Sequence, residues 1–137
     1  MIEVRFVPTH FVHKEWPLVA HFLNAALTNP EASGEITLDQ LRADLGQNRG
    51  ALYTVMQDGV MVGALSVTFQ NQRNARVAVV TAAGGKGLAN SEVTSQFFAL
   101  LRRAGATRVS AAGRDSIVRL ALRLGLKKKY TVFEGEL

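Results

Sequence analysis

The first residues of the chain alternate between apolar and polar side chains. Ile2, Val4 and Phe6 share one side of the pattern, and charged residues fall between them. A period of two is typical of a strand with one buried face. We therefore predict a strand over residues 2–7.

The next segment has the spacing of a helix. Pro17 suits a first helical turn, where its missing N–H costs nothing, and Asn29-Pro30 is predicted to end the helix. Apolar residues recur every three or four positions along it, which predicts an amphipathic helix: Trp16, Val19, Ala20, Leu23 and Leu27.

A second, shorter helix is predicted after residue 36. Thr37 and Gln40 have the spacing of a capping box, with Thr37 as the N-cap and Gln40 reaching back. The apolar stripe of this helix consists of Leu38, Leu41 and Leu45.

Three strands are predicted in the middle of the chain, over residues 51–56, 60–69 and 75–83. Asp58-Gly59 separates the first two and is a strong signal for a two-residue hairpin turn. The third strand contains an unbroken apolar run, which favours burial on both faces.

The last third of the chain predicts alternating helices and strands. A third helix runs from an N-cap at Asn90 or Ser91 to a closing glycine, Gly105, and residues 107–112 form a fifth strand.

A fourth helix is predicted from an N-cap at Asp115 or Ser116 to Gly125, followed by a last strand over residues 129–136. The order is β-α-α-β-β-β-α-β-α-β. It predicts an α/β (α+β) fold, one domain over residues 1–137, with a mixed central sheet and helices on both faces.

Composition narrows the class of protein. The 137 residues are 47 % hydrophobic and 20 % charged, which is ordinary for a globular domain, and the absence of cysteine excludes disulfides and thiolate chemistry. No apolar run approaches the roughly 20 residues of a membrane span. The N-terminus lacks the pattern of a signal peptide, so we expect a cytoplasmic protein.

Positive charge is concentrated near the C-terminus. Residues 102–129 hold nine bases against one acid, Asp115, within a net charge of +5. Arg119 and Arg123 would lie one helical turn apart. Such a surface suits a polyanion or is simply a solvated face, and the sequence leaves both open.

A glycine-rich turn stands between a predicted strand and a predicted helix. Residues 84–89 read Gly-Gly-Lys-Gly-Leu-Ala. With this turn and this element order, the chain resembles the GNAT (acyl-CoA N-acyltransferase) superfamily along nearly its whole length. The family motif is Gln or Arg, two residues, Gly, one residue, then Gly or Ala. Gly87 and Ala89 match its last two positions, and Gly84 replaces the Gln or Arg.

The resemblance implies acetyl-CoA as cofactor, with its pyrophosphate at the glycine turn. Backbone N–H groups and a helix N-terminus favour an anion there. A tight turn without a ligand explains the glycines about as well, and both explanations stay open. The implied cofactor-binding residues are Val80, Gly84, Gly85, Lys86, Gly87, Leu88, Ala89 and Asn90.

The C-terminal third more narrowly resembles small GNAT-like proteins of tailed bacteriophages, some of which are internal virion proteins. Leu126 departs from the aromatic residue usual there. The shared features are a glycine pair, a Gly-Arg and a later Arg: Gly84-Gly85, Gly113-Arg114 and Arg119.

The usual catalytic groups of the family are not evident. Such enzymes need a base for the amine and often use a Tyr on the last helix as general acid. The strand over residues 75–83 contains no acid, and Ala121 occupies the usual Tyr position. Tyr130, on the predicted last strand, is the remaining catalytic candidate.

The histidines do not predict a metal site. His10, His13 and His21 lack a carboxylate at a recognisable ligand spacing. Surface or helix-packing roles are favoured for them.

Two functions therefore compete. One is an acyl-CoA-dependent N-acetyltransferase with an incomplete catalytic set and an unknown amine acceptor. The other is a non-catalytic structural or interaction protein of a phage particle, with a virion protein as partner. Nucleic-acid binding by residues 102–129 is disfavoured, because no motif supports it and aromatic residues are scarce there.

Overall fold

The computed structural model describes residues 1–27, 37–86, 88, 90–111, 121–129, 133 and 135–137. Five strands in this part form one sheet, in the order in which they occur along the chain. The strands are β1 (Ile2–Val7), β2 (Ala51–Gln57), β3 (Val60–Gln72), β4 (Ala75–Gly85) and β5 (Arg108–Ala111). The helices are α1 (Val12–Leu27), α2 (Leu38–Gly46) and α3 (Ser91–Arg103).

The sheet is mixed, as predicted. Each of the first four strands pairs antiparallel with the next, and β5 pairs parallel with β4. The parallel pair needs a crossover connection, and α3 lies within it.

Helices cover both faces of the sheet. On one face, α1 and α2 bury an apolar cluster that includes Trp16, Leu23 and Leu45. On the other face, α3 packs Phe97 and Leu101 against strand residues. Alternate residues of each strand supply the two clusters, so the sheet is a shared wall between them.

The predicted turn and cap signals are confirmed. Asp58 and Gly59 both have positive φ, 51° and 81°, as a type I′ hairpin turn requires. The Thr37 hydroxyl accepts a hydrogen bond from the Gln40 N–H at 3.1 Å. Asn90 is the N-cap of α3.

The two closing glycines are also confirmed. Gly105 and Gly125 have φ of 90° and 84°. Ala106 N–H donates to Leu101 O, and Leu126 N–H donates to Ala121 O, both at 3.0 Å. These bonds satisfy carbonyls at the helix ends, which are otherwise left without partners.

The start of α1 was predicted too late. A 3-10 turn, Thr9–Phe11, leads directly into the helix at Val12, so Pro17 lies inside the helix and not in its first turn. Pro17 has no N–H to donate to the carbonyl four residues earlier. The extra turn buries Val12 to 1 % exposure, and this burial offsets the missing bond.

Other boundaries differ as well, and β3 continues to Gln72, three residues beyond its predicted end at residue 69. β4 continues to Gly85, two residues beyond the predicted end, because Gly84 and Gly85 pair with β3. In the predicted last strand, the described residues 129, 133, 135 and 136 are not in a strand. Phe133 there is 90 % exposed.

The remaining predictions for the C-terminus fall largely outside the described residues. Ala112, both candidate caps of the fourth helix and residues 117 and 120 lie there. The described part retains a helical turn at 121–123 before Gly125. The predicted end of α1 at Asn29-Pro30 also lies outside.

Candidate functional site

The C-terminal end of β4 has an open edge. β5 pairs only with Val77–Val80, and β4 continues through residues 81–85. Among the described residues, no strand covers that side of β4 beyond Val80. In open sheets, ligands bind at the carboxyl ends of strands where neighbouring strands diverge.

A β-bulge lies at the start of this open edge. Ser66 is opposite Ala82 and Val67 is opposite Val80, so Thr81 has no partner on β3. A bulge changes the alternation of side chains along a strand. Val80 and Ala83 consequently both pack on the α3 side, while Ala82 packs on the α1 side.

The backbone groups of the open edge can be assigned from one hydrogen bond. The Lys86 N–H donates to Val62 O at 3.1 Å, so it points toward β3. Backbone groups alternate in direction along an antiparallel ladder. Ala83 and Gly85 therefore direct their N–H and C=O groups away from β3, into the space beyond the end of β5.

Packing within the protein accounts for the two glycines at the end of β4. A Cβ on Gly84 would lie 1.9 Å from the carbonyl oxygen of Phe22 in α1. A Cβ on Gly85, which has φ +123°, would lie 2.3 Å from Val62 O. Their absent side chains therefore let α1 and β3 approach β4, whether or not a ligand binds.

The N-terminus of α3 follows the open edge directly. Asn90 Oδ1 accepts a hydrogen bond from the Glu92 N–H at 2.7 Å. Glu92 places a carboxylate in the first turn, where it accepts from Gln96 Nε2 at 2.9 Å. Lys86 is exposed beside this turn. The helix end thus combines one cation, one carboxylate and N–H groups that favour an anion.

An apolar cavity of about 70 Å³ lies beneath the open edge, between the sheet, α3 and the helical turn at 121–123. Val80, Ala83 and Leu88 line it on the β4 side. Two predicted cofactor-binding residues, Val80 and Leu88, therefore meet at one place, with Ala83 beside them.

The predicted cofactor-binding residues are partly brought together. Val80, Gly84, Gly85, Lys86, Leu88 and Asn90 follow one another along the end of β4 and into α3. Gly87 and Ala89 lie outside the described residues, as does the catalytic candidate Tyr130.

A pair of hydroxyl groups near the bulge was not predicted from the sequence. Ser66 Oγ and Thr81 Oγ1 are 2.7 Å apart, and Ser66 is fully buried. Serine and threonine are common in strands, so only the register places these two together. Neither side chain is a carboxylate.

One of the three histidines, His13, takes part in a contact between helices. His13 Nδ1 lies 3.2 Å from Arg42 Nε, which donates to it across the α1–α2 contact. Within the described ranges, no three potential metal ligands cluster together. Trp16 is 6 % exposed and has the Arg42 guanidinium 5.9 Å from its ring, as expected of a core anchor.

The basic residues in the described part of 102–129 lie on the surface. Arg102, Arg103, Arg108, Arg123 and the lysines at 127–129 are all exposed. Arg114 and Arg119 lie outside the described residues. None of the described helices is both long and apolar enough to cross a membrane.

Solved structures of acetyltransferases share this architecture. A ribosomal-protein-alanine N-acetyltransferase from Brucella melitensis biovar Abortus has a TM-score of 0.69 at 12 % identity, over 100 % of this chain and 99 % of that one. A predicted acetyltransferase from Clostridium acetobutylicum, solved with acetyl-CoA, has a TM-score of 0.65 at 11 % identity, over 99 % and 96 %.

An aminoglycoside N-acetyltransferase in complex with CoA has a TM-score of 0.66 at 15 % identity, over 100 % of this chain and 95 % of that one. Neither a family model nor a curated protein matches the sequence. At these identities the likeness concerns the fold, and the chain has the GNAT fold. The narrower resemblance to phage proteins stays a prediction.

Proposed function

We propose that the protein binds an acyl-CoA at the C-terminal end of β4 and transfers its acyl group to an amine. The observation that carries this proposal is the open edge of β4 beyond Val80, directly followed by the N-terminus of α3. A long ligand with amides at one end and phosphates at the other could pair its amides with the open edge and place its phosphates at the N-terminus of α3.

The open edge offers partners for the pantetheine arm. The arm contains amide groups, and an extended ligand can pair with a free strand edge through its backbone-like amides. Ala83 and Gly85 present N–H and C=O groups on that side. We assign these two residues to the pantetheine arm and Val80 to the wall beside it.

The phosphates are assigned to the turn after β4. Lys86 supplies a positive charge, and the N-terminus of α3 supplies N–H groups and partial positive charge. Gly87, Ala89 and Asn90 belong to the same turn in the sequence. The packing role of Gly84 and Gly85 is compatible with this assignment but does not support it.

Acyl-CoA supplies the acyl group as an activated thioester, and the protein must accept the amine proton. β4 carries no acidic side chain that could act as base. The Ser66–Thr81 hydroxyl pair can hold a water molecule but is not itself a base near neutral pH. As the C–N bond forms, the thioester C–S bond breaks, and the leaving CoA thiolate takes up a proton, for which Tyr130 remains the candidate general acid. The likeness to acetyltransferases solved with CoA or acetyl-CoA supports the cofactor class.

The test is thermal unfolding with and without acetyl-CoA. Two variants perturb the phosphate site with little effect on folding: Lys86→Glu reverses an exposed charge, and Asn90→Asp keeps a good N-cap while adding negative charge. The matched control is Arg73→Glu, in the exposed turn between β3 and β4, at the other end of β4.

Acetyl-CoA should raise the melting temperature of the wild type and of Arg73→Glu alike. Asn90→Asp, which adds one negative charge near a phosphate, should weaken binding by about tenfold, and Lys86→Glu, which changes the charge by two units, should weaken it more. No shift of the wild type at millimolar acetyl-CoA would contradict the proposal.

A second candidate function, a non-catalytic module of a phage particle, is favoured by the lack of any acid on β4. It predicts that the protein copurifies with virions. Release of free CoA thiol from acetyl-CoA, dependent on an added amine, would contradict it.

A further inference from the structure

A second concave site lies at the opposite end of the sheet. It is a groove of about 660 Å³ between the start of β2, the start of β4 and the C-terminal end of α3. That volume falls in the range of small-molecule sites. Three cations and three aromatic rings line it: Arg49, Arg76, Arg103, Phe6, Tyr53 and Phe69.

The charge of the groove is one-sided. No carboxylate is among its described lining residues. Arg49 has an acid nearby, Asp44, with 3.6 Å between Nη1 and Oδ1, and its side chain is 67 % exposed. Arg103 makes no ion pair or hydrogen bond through its side chain with the described residues. Its guanidinium is thus available to an external anion.

Arg76 is fixed in place, unlike Arg103. Its Nε donates to Ala104 O at 3.2 Å, and its Nη1 donates to Asn71 Oδ1 at 3.1 Å. The guanidinium lies over the Phe69 ring, 4.6 Å from the centroid. These contacts make a rigid flat wall, with a cation stacked on an aromatic ring.

Tyr53 supplies a hydroxyl to the groove. Its side chain is 2 % exposed and packs between Phe6 and Phe97, with ring centroids 5.6 and 5.3 Å away. The hydroxyl has no hydrogen-bond partner among the described residues. Among the described residues, no fully buried side-chain nitrogen or oxygen lacks a hydrogen-bond partner. An unpaired hydroxyl must therefore be in contact with solvent. The hydroxyl therefore opens on the groove.

Burial raises the pKa of Tyr53 above its ordinary value. The phenol accordingly stays protonated near neutral pH and can donate a hydrogen bond. Because the hydroxyl opens on the groove, a ligand oxygen there could replace water as the acceptor of its hydrogen bond.

We infer that this groove binds a small molecule with a flat aromatic body and an oxyanion, a carboxylate or a phosphate. Guanidinium groups match these anions in shape and charge, and the aromatic wall matches a flat ring. An amine acceptor does not fit, because three arginines repel it. About nine residues of β4 separate Arg76 from Gly85, roughly 30 Å at strand spacing, so the inference does not depend on the acyl-CoA proposal.

The test is a titration of the whole protein, followed by amide chemical shifts in ¹H–¹⁵N NMR spectra. The probes are 2-naphthoate, 2-naphthyl phosphate, neutral 2-naphthamide and inorganic phosphate. We expect saturable shifts at Gly50, Tyr53 and Arg103 with the first two probes. The tighter of the two identifies the preferred anion.

We expect 2-naphthamide and inorganic phosphate each to bind at least tenfold more weakly, because each lacks one half of the ligand. Equal binding of 2-naphthamide would overturn the role of the arginines. Equal binding of inorganic phosphate would overturn the role of the rings. Chemical shift changes confined to other residues would show that the probes bind elsewhere, and would overturn the assignment of this groove as the site.

A matched pair of variants completes the test. Arg103→Gln and Arg102→Gln both remove one positive charge from the last turn of α3, but only Arg103 lines the groove. We expect Arg103→Gln to weaken 2-naphthoate binding about tenfold, as for loss of one charge-assisted hydrogen bond. Arg102→Gln should leave binding unchanged. Equal losses of 2-naphthoate affinity in both variants would mean that only the overall charge of the protein matters. That result would overturn the inference.

Discussion

The two ends of β4 differ in how the strand is held. At its start, Val77–Val80 pair with β3 on one side and with β5 on the other. At its end, Ala82–Gly85 pair with β3 after a bulge at Thr81, no other described strand pairs with them, and two glycines pack against neighbouring backbone. The same strand is therefore closed at one end and open at the other.

This difference separates two roles of the glycine-rich turn, packing against the sheet and binding an anion, which the sequence alone does not distinguish. Residues 84–89 form one glycine-rich turn in the sequence, but the structure gives its first two glycines to the sheet. The features that fit an anion begin only at Lys86. Three experiments bear on this division, and the first has the largest expected effect.

Replacing Gly84 by alanine should destabilise the protein most. The added Cβ would overlap the Phe22 carbonyl oxygen at 1.9 Å, so α1 must move off the sheet. We expect a loss of about 3 kcal/mol in the free energy of unfolding, at the upper end for an overpacked site. Urea unfolding measures it.

The matched control is Gly135→Ala, where an added Cβ meets nothing within 4 Å. It should change stability by less than about 0.5 kcal/mol. A mild effect of Gly84→Ala would show that α1 does not depend on close approach to β4.

Amide hydrogen exchange rates should alternate between fast and slow from one residue to the next at the open end of β4. The amides of Ala82 and Gly84 point toward β3, whereas those of Ala83 and Gly85 point toward the open edge. We expect the second pair to exchange about a hundredfold faster, because no described strand supplies them with a ladder partner. Equal protection of all four would mean that another segment covers the edge.

Arg76 tests the closed end of the strand. Arg76→Ala removes two side-chain hydrogen bonds and the contact with Phe69. The bonds are partly exposed, so we expect a loss of about 1 kcal/mol in the free energy of unfolding. Arg73→Ala, in the adjacent exposed turn, is the control and should have no measurable effect. A loss of unfolding free energy as large as that of Gly84→Ala would mean that the two ends of β4 do not differ in how much they contribute to stability.

Local chemistry made most of the fold predictable. The Asp58-Gly59 turn, the Thr37 cap and the glycines at 105 and 125 each encode their own backbone geometry, and all four were predicted correctly. The start of α1 was not, because burial of Val12 outweighs the cost of an internal Pro17. That balance depends on tertiary contacts, which a local pattern does not contain.

The site was less predictable than the fold. The sequence located the turn after β4, but the bulge at Thr81 depends on the register with β3. The Ser66–Thr81 pair depends on the same register. The groove with Arg49, Arg76 and Arg103 joins residues far apart in sequence, and no motif indicates it. The predictions for the cofactor-binding residues, Val80 and residues 84–90, and for Tyr130 all stay predictions.

The contact between Gly84 and α1 has a consequence for reading the evolution of this chain. A residue that only glycine can occupy is retained by selection for folding alone. Its persistence among descendants would therefore say nothing about a cofactor. Lys86 and Asn90 are under no such steric constraint. If these two residues were retained in diverging lineages, their retention would indicate selection for ligand binding.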